Sequence, residues 1–191
     1  MSMANRERSN SFNTIKYFIL NATTYLTNTG DIVKVVDFYN NCPEVEFLYR
    51  KNQVLNMVSE KTNEEHLTNA IKNTMRKLNL NLVDYTTMPD NSITPGRYVF
   101  YFELKDKLPA HKVELLQKTL DKEIRNSNLA YDRARQNKRL GDVKAILLAP
   151  NTFNSIKETL FTKGVSKSQI KIPRVITNNK NILNIINKNK I

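Results

Sequence analysis

The sequence predicts an α+β fold: a single small domain in which a mostly antiparallel or mixed β-sheet carries helices on its faces. Three observations lead there. Runs of β-branched and aromatic residues, Ile32–Tyr39 and Arg97–Leu104 above all, read as strands. Other segments repeat apolar residues at helical spacing, as in Leu67, Ala70, Ile71, Met75 and Leu78. The 191 residues are 40% hydrophobic and 25% charged, which suits one globular domain with a buried core.

Residues 1–11 are polar and are expected to be loose, which places the domain at 12–191. Within Phe12–Leu26, Ile15, Tyr17 and Ile19 alternate with Lys16 and Phe18 and suggest a strand. A turn at Asn28-Thr29-Gly30-Asp31 leads into the strand Ile32–Tyr39. A second turn, Asn40–Pro43, and a strand at Val45–Tyr49 complete a hairpin. Asn52–Ser59 is short and apolar. Thr62 and Glu65 form a capping-box pattern ahead of the first helix. Leu80–Thr86 is the next strand, Pro89–Gly96 a loop, and Arg97–Leu104 a core strand dense in Tyr, Phe and Val.

Pro109 suits the first turn of a helix whose apolar face is Val113, Leu116, Leu120 and Ile124. Asn128–Arg135 reads as a short helix or turn on which Tyr131 and Arg135 share a face in a structural role. Val143–Ala149 is a buried strand. Asn151 or Thr152 caps a helix carrying Phe153, Ile156 and Leu160, stopped by Gly164. Ser166–Ile176 is a loop held by Pro173, and a last helix runs near Asn181–Asn187. No internal repeat is visible.

The formal charge of +12 attracts anions. The cations are dispersed, however, which favours a solvated Lys-rich surface over a nucleic-acid face. The richness in Asn, Lys and Ile reads as coding bias from an AT-rich genome, such as that of a virus or a protist. Cys42 is the single cysteine, so no internal disulfide or cysteine-based metal site is expected. His66 and His111 show no ligand spacing, and no metal is assigned. No apolar run has the length of a membrane span, and MSMANRERSNS lacks a signal core. The expected location is cytoplasmic, with no membrane partner.

Several blocks occur in an order that matches a known family: GDIVKVVDFYNNCPEVEFLYRKN, EKTNEEHL and PGRYVFYFEL come first. Asn128, Tyr131 and Arg135 follow, then LGDVKAILLAPNTF. Gly164-Val165-Ser166 then leads to Gln169-Ile170-Lys171-Ile172-Pro173-Arg174. From about Thr24 to Asn187 the chain resembles the C-terminal domain of the plant auxin-responsive acyl-acid amido synthetases, which conjugate jasmonate or auxin to amino acids. They belong with the wider adenylate-forming enzymes. The resemblance implies ATP-dependent formation of an acyl-adenylate, displacement of AMP by an amino acid, and a small C-terminal domain that swings over a large N-terminal one.

By the same resemblance, Asp31 matches the carboxylate that holds the ribose of the adenylate, a role that suits two oxygens facing two hydroxyls. Arg50 and Lys51 match the hinge segment, where Arg50 is the nucleotide-binding candidate and Lys51 a hinge or partner contact. Lys171 matches the family lysine that neutralises charge on phosphate or the transferring acyl group, and is the catalytic candidate. Arg174 is an anchor, a hinge or a partner contact. ATP or AMP with magnesium is implied only in this way.

Two departures bear on function. The family's Tyr-Arg before the Gly-Asp turn is here Thr27 and Asn28. The chain also carries no glycine-rich phosphate loop and four glycines in all, and it is expected to lack the large domain. The sequence therefore predicts a free-standing C-terminal-domain homologue, inactive alone, that binds a protein partner: a synthetase-type large domain or a host protein. The alternatives are an interaction module that has lost nucleotide binding and, less favoured, a basic nucleic-acid binder.

Overall fold

The computed structural model describes residues 31–40, 42–50, 54–161, 171–177 and 179–191, with the backbone alone at 31–34 and 47–50. The strand expected within Phe12–Leu26, the loose 1–11, the residues Thr27, Asn28 and Lys51, and the Gly164 stop lie outside these. Between Lys51 and Asn52 the chain divides into two compact units.

In the first unit β1 (Asp31–Tyr39) and β2 (Cys42–Arg50) form the expected antiparallel hairpin. Asn40 takes a left-handed conformation at its turn, φ 54°, which Asn tolerates because its short amide bonds locally. Register irregularities between Ile32 and Val33 and between Val35 and Asp37 bend and twist the ribbon.

The second unit is built on a mixed sheet. β3 (Leu82–Asp90) lies antiparallel to β4 (Arg97–Leu104), and β4 lies parallel to β5 (Lys144–Leu147). The parallel pair needs a crossover, which is made by α2 (Ala110–Ser127) and α3 (Leu129–Gln136). Alternation along β4 sorts the core by face. Tyr98, Phe100 and Phe102 join α1 (Glu64–Leu78), α2 and α3 in the main cluster. Val99 and Tyr101 join α4 (Thr152–Leu160) and α5 (Lys180–Lys188) in a second one. Helices thus cover both faces, as the predicted fold class requires.

β3 continues through Pro89 to Asp90 rather than ending at Thr86. Thr87 turns its N–H and C=O away from β4. Pro89, two residues on, faces the same way, so its missing N–H removes no bond to β4. Gly141 lets two loops touch backbone to backbone: its N–H donates to the Gly96 carbonyl at 2.8 Å. A Cβ there would lie 3.0 Å from the Pro95 carbonyl oxygen.

Two helix caps differ from the sequence reading. The cap of α1 is Asn63, not Thr62: the Asn63 side chain accepts from the His66 N–H at 2.9 Å, and His66 Nδ1 accepts from the Asn63 N–H at 3.4 Å. Thr62 is buried and otherwise engaged. Its hydroxyl lies 2.9 Å from the Tyr98 hydroxyl and accepts from the Asn128 amide at 3.0 Å. At α4, neither Asn151 nor Thr152 caps through its side chain. Buried Glu103 of β4 does so instead, accepting from the Asn151 N–H at 2.8 Å and the Phe153 N–H at 2.9 Å, where a carboxylate suits the helix N-terminus.

Buried polar groups tie the main cluster together. Glu60 accepts from the Tyr98 hydroxyl at 2.5 Å and from the Met57 and Val58 N–H groups at 2.8 and 2.7 Å. Asn128 uses both ends of its amide. It donates to the Glu60 carbonyl at 3.0 Å, while its oxygen caps α3 through Ala130 and Tyr131. Tyr131 and Arg135 meet at Asp121, at 2.7 and 2.9 Å, so their shared face serves one carboxylate.

The α1 cap carries a pH dependence. Burial, opposed by Glu65, holds the His66 pKa below its usual value, so the unfolded chain takes up a proton that the folded chain resists. His66 therefore contributes stability above about pH 6.5 that is lost as pH falls through the depressed folded value. Denaturant melts between pH 7.5 and 5 are expected to show that loss. In His66→Gln, which keeps an acceptor at the cap, the His66 part of the slope disappears. An unchanged slope in that variant contradicts the account.

Candidate functional site

The sequence candidates fall in both units. In the hairpin, Asp31 opens β1, Arg50 closes β2, and the two are cross-strand partners in the register. The fold therefore places a carboxylate-bearing and a guanidinium-bearing position side by side at the hairpin's open end, away from the Asn40 turn. Lys51 lies outside the described residues.

In the second unit, Lys171 begins a segment that runs along the outer edge of β3. Val175 forms a parallel bridge with Thr87. The Thr87 N–H donates to the Arg174 carbonyl at 2.9 Å, and the Ile176 N–H donates to the Thr87 carbonyl at 2.8 Å. The Thr86 hydroxyl donates to the Pro173 carbonyl at 2.7 Å. Side chains seat the segment on both layers: Val175 packs into the main cluster, and Ile172 and Ile176 into the second. Pro173 restricts the backbone between them.

Arg174 locks this ledge. Its Nη1 donates to the Asp84 carboxylate and, at 2.9 Å, to the Tyr85 carbonyl. Its guanidinium carbon lies 4.5 Å from the centre of the Tyr85 ring, a favourable cation–π position. Burial raises the pKa of the Tyr85 phenol, which keeps that ring neutral. Its hydroxyl sits 3.2 Å from the Thr68 hydroxyl.

Lys171 is exposed, and it forms no hydrogen bond or ion pair with a described residue. The two cations of this segment are therefore divided in role. Arg174 is engaged in holding the backbone, and Lys171 presents an exposed ammonium group three residues before it. Such a group suits a phosphate or developing negative charge. Among the described residues, no three or more His, Cys, Asp or Glu side chains gather as a metal site. No helix among them is long and apolar enough to cross a membrane.

Sequence reasoning did not find the residues that hold the segment 173–176 in place. Asp84, Tyr85, Thr86 and Thr87 stand far upstream, with 87 residues separating Thr86 from Pro173. No local spacing signals such a contact. The weak indication was Asp84 itself, a carboxylate between Val83 and Tyr85 in the strand.

Residues 65–180 match the model of the GH3 family C-terminal domain. The putative indole-3-acetic acid-amido synthetase GH3.9 of Arabidopsis thaliana is 31% identical over 179 residues, covering 90% of this chain and 30% of its own length. The 4-substituted benzoates-glutamate ligase GH3.12 of the same plant is 35% identical over 172 residues, 83% of this chain and 30% of its own length. Among solved structures, GH3.15 acyl acid amido synthetase superposes with a TM-score of 0.70 at 31% identity, covering 87% of this chain and 31% of that one. The chain thus spans about 30% of the length of these curated relatives. The 179-residue match is longer than the second unit, so the likeness reaches into the hairpin unit.

Arg174→Ala is expected to lower stability by about 1.5–3 kcal/mol, the range for hydrogen bonds to charged groups. It should also speed amide exchange at Thr87 and Ile176. Arg174→Lys restores only part of this, because an ammonium lacks the planar fork. Unchanged exchange at both amides in Arg174→Ala contradicts the locking role.

Proposed function

The chain belongs to the GH3 family, matching it as a C-terminal domain, and from that membership we propose that it serves acyl-acid amido synthetase chemistry as its C-terminal-domain part. In this reading it works in the cytoplasm. It acts on a pocket supplied by the large-domain portion its relatives carry, and it is inactive without that portion. Its sequence holds no glycine-rich phosphate loop, and positioning of the substrates is what such a reaction depends on. ATP, as substrate, supplies the adenylyl group that activates the acid, and magnesium accompanies the phosphates.

The residues of this chain bind and neutralise charge. Asp31 takes the ribose hydroxyls, and Arg50, its cross-strand neighbour, takes phosphate or a carboxylate of the large domain. Lys51 is a hinge or partner contact, by resemblance to the family's hinge segment. Arg174 fixes the ledge on β3, and Lys171 neutralises charge on the phosphate or the transferring acyl group. The observation that carries this reading is Lys171 itself: exposed, unpaired among the described residues, and three residues before Arg174, whose carbonyl accepts from the Thr87 N–H.

A second reading keeps the docking role and drops the nucleotide. It is favoured by Thr27 and Asn28, which stand where the family has Tyr and Arg. An aromatic stacking partner and a cation are both missing there. Calorimetry with AMP separates the two: micromolar binding favours the ligase reading, and millimolar or no binding favours the interaction module.

Mixing this chain with the isolated large-domain portion of GH3.15 should yield ATP–pyrophosphate exchange that neither shows alone. Lys171→Ala is expected to lower that exchange about 10²–10³-fold, as for loss of a preorganised charge-stabilising group. Lys171→Arg should recover part of it. Exchange at the wild-type rate in Lys171→Ala removes the catalytic role.

A further inference from the structure

We propose that a groove along α2, closed on its far side by the end of α1 and by residues 105–109, docks an acidic amphipathic helix of a partner protein. The surface lies within the second unit and does not depend on the ligase reading.

α2 uses Leu116, Leu120 and Ile124 for the core. Lys112, Leu115, Thr119 and Lys122 recur at helical spacing along its flank and form a stripe about 15 Å long at 1.5 Å per residue. Two cavities lie against this stripe. One, of about 340 Å³, is lined by Lys77, Leu78, Lys118, Thr119, Lys122 and Glu123. The other, of about 400 Å³, has Leu78, Leu80, Leu108 and Leu115 in its wall, with Lys107 and Lys112 beside them. Leu78 belongs to both, so the groove is continuous.

Its floor is apolar: Leu115 is 52% exposed, and Leu78, Leu80 and Leu108 are half-buried beside it. Its rim is basic. Every nearby carboxylate already has a partner. Glu123 takes Lys77 at 2.6 Å, Glu114 takes Lys118 at 2.6 Å, and Asp106 accepts from Asn81 at 3.0 Å. Lys107, Lys112 and Lys122 are exposed and form no ion pair with a described residue.

Charge complementarity selects the occupant. An apolar stripe fills the leucine floor while acidic flanks meet the three free lysines, and three turns of helix match the 15 Å length. A nucleic acid satisfies the lysines but leaves the leucines uncovered.

The probe is a synthetic helix about three turns long, with Leu at i, i+3 and i+7 and Glu on either side, titrated into the labelled full chain by heteronuclear NMR. Amide shifts are expected at Leu78, Leu108 and Leu115. The double variant Lys112→Glu, Lys122→Glu is expected to weaken binding about tenfold or more, as for charge reversal at an electrostatically matched interface. Leu115→Gln should also weaken it, with the melting temperature unchanged in all variants. A peptide with Lys in place of Glu should not bind. The proposal is overturned by shifts that map elsewhere, by no shift at millimolar peptide, or by equal affinity in both variants. Displacement of the peptide by a single-stranded oligonucleotide at equal charge overturns it too, because the surface is then a general polyanion site.

Discussion

The second unit depends on β4 being buried on both faces. Every side chain from Tyr98 to Glu103 is removed from water, so each face must be covered and each polar group on the strand must find a partner. The aromatic face draws α1, α2 and α3 over it, and the other face draws α4 and α5. The two polar ends of the strand then decide local structure at a distance. The Tyr98 hydroxyl requires Glu60 and Thr62, which shape the loop before α1. The Glu103 carboxylate requires donors and finds them at the start of α4.

The same constraint positions the candidate site. A central strand needs neighbours, and β3 as one neighbour leaves its own outer edge to be covered. Residues 173–176 cover part of that edge, and Lys171 lies just before them in the chain. Arg174 secures the arrangement through Asp84 and Tyr85. Sheet pairing thus holds the chain three to five residues beyond the candidate Lys171.

The sequence disclosed what period and propensity encode. The hairpin, the aromatic strand and the apolar faces of α1 and α2 were legible in this way, and the family was legible as a resemblance carried by ordered motif blocks. It did not disclose choices settled by long-range packing. Thr62 has the right chemistry for a cap, but burial beside Tyr98 and Asn128 engages its hydroxyl and leaves the cap to Asn63. Asn151 is a good capping residue by type, yet its side chain makes no capping bond because Glu103 arrives from β4. Pro89 reads as a strand breaker and is harmless because it faces the outer edge. Asp31, Arg50, Lys171 and Arg174 were named from family motifs. That Arg174 acts as a brace, and that Asp84 receives it, follows from a contact between distant segments.

The central claim of the proposed function is that Lys171 stands ready for a charge supplied by a large-domain portion such as the relatives carry. Its side-chain resonances in the full chain report on that directly. On addition of the large-domain portion of GH3.15 loaded with a non-hydrolysable acyl-adenylate analogue, the Lys171 Cε and Hε signals are expected to shift and its ammonium protons to slow their exchange. Other exposed lysines away from the contact should be unchanged. A complex that forms while the Lys171 signals remain those of the free chain contradicts the claim.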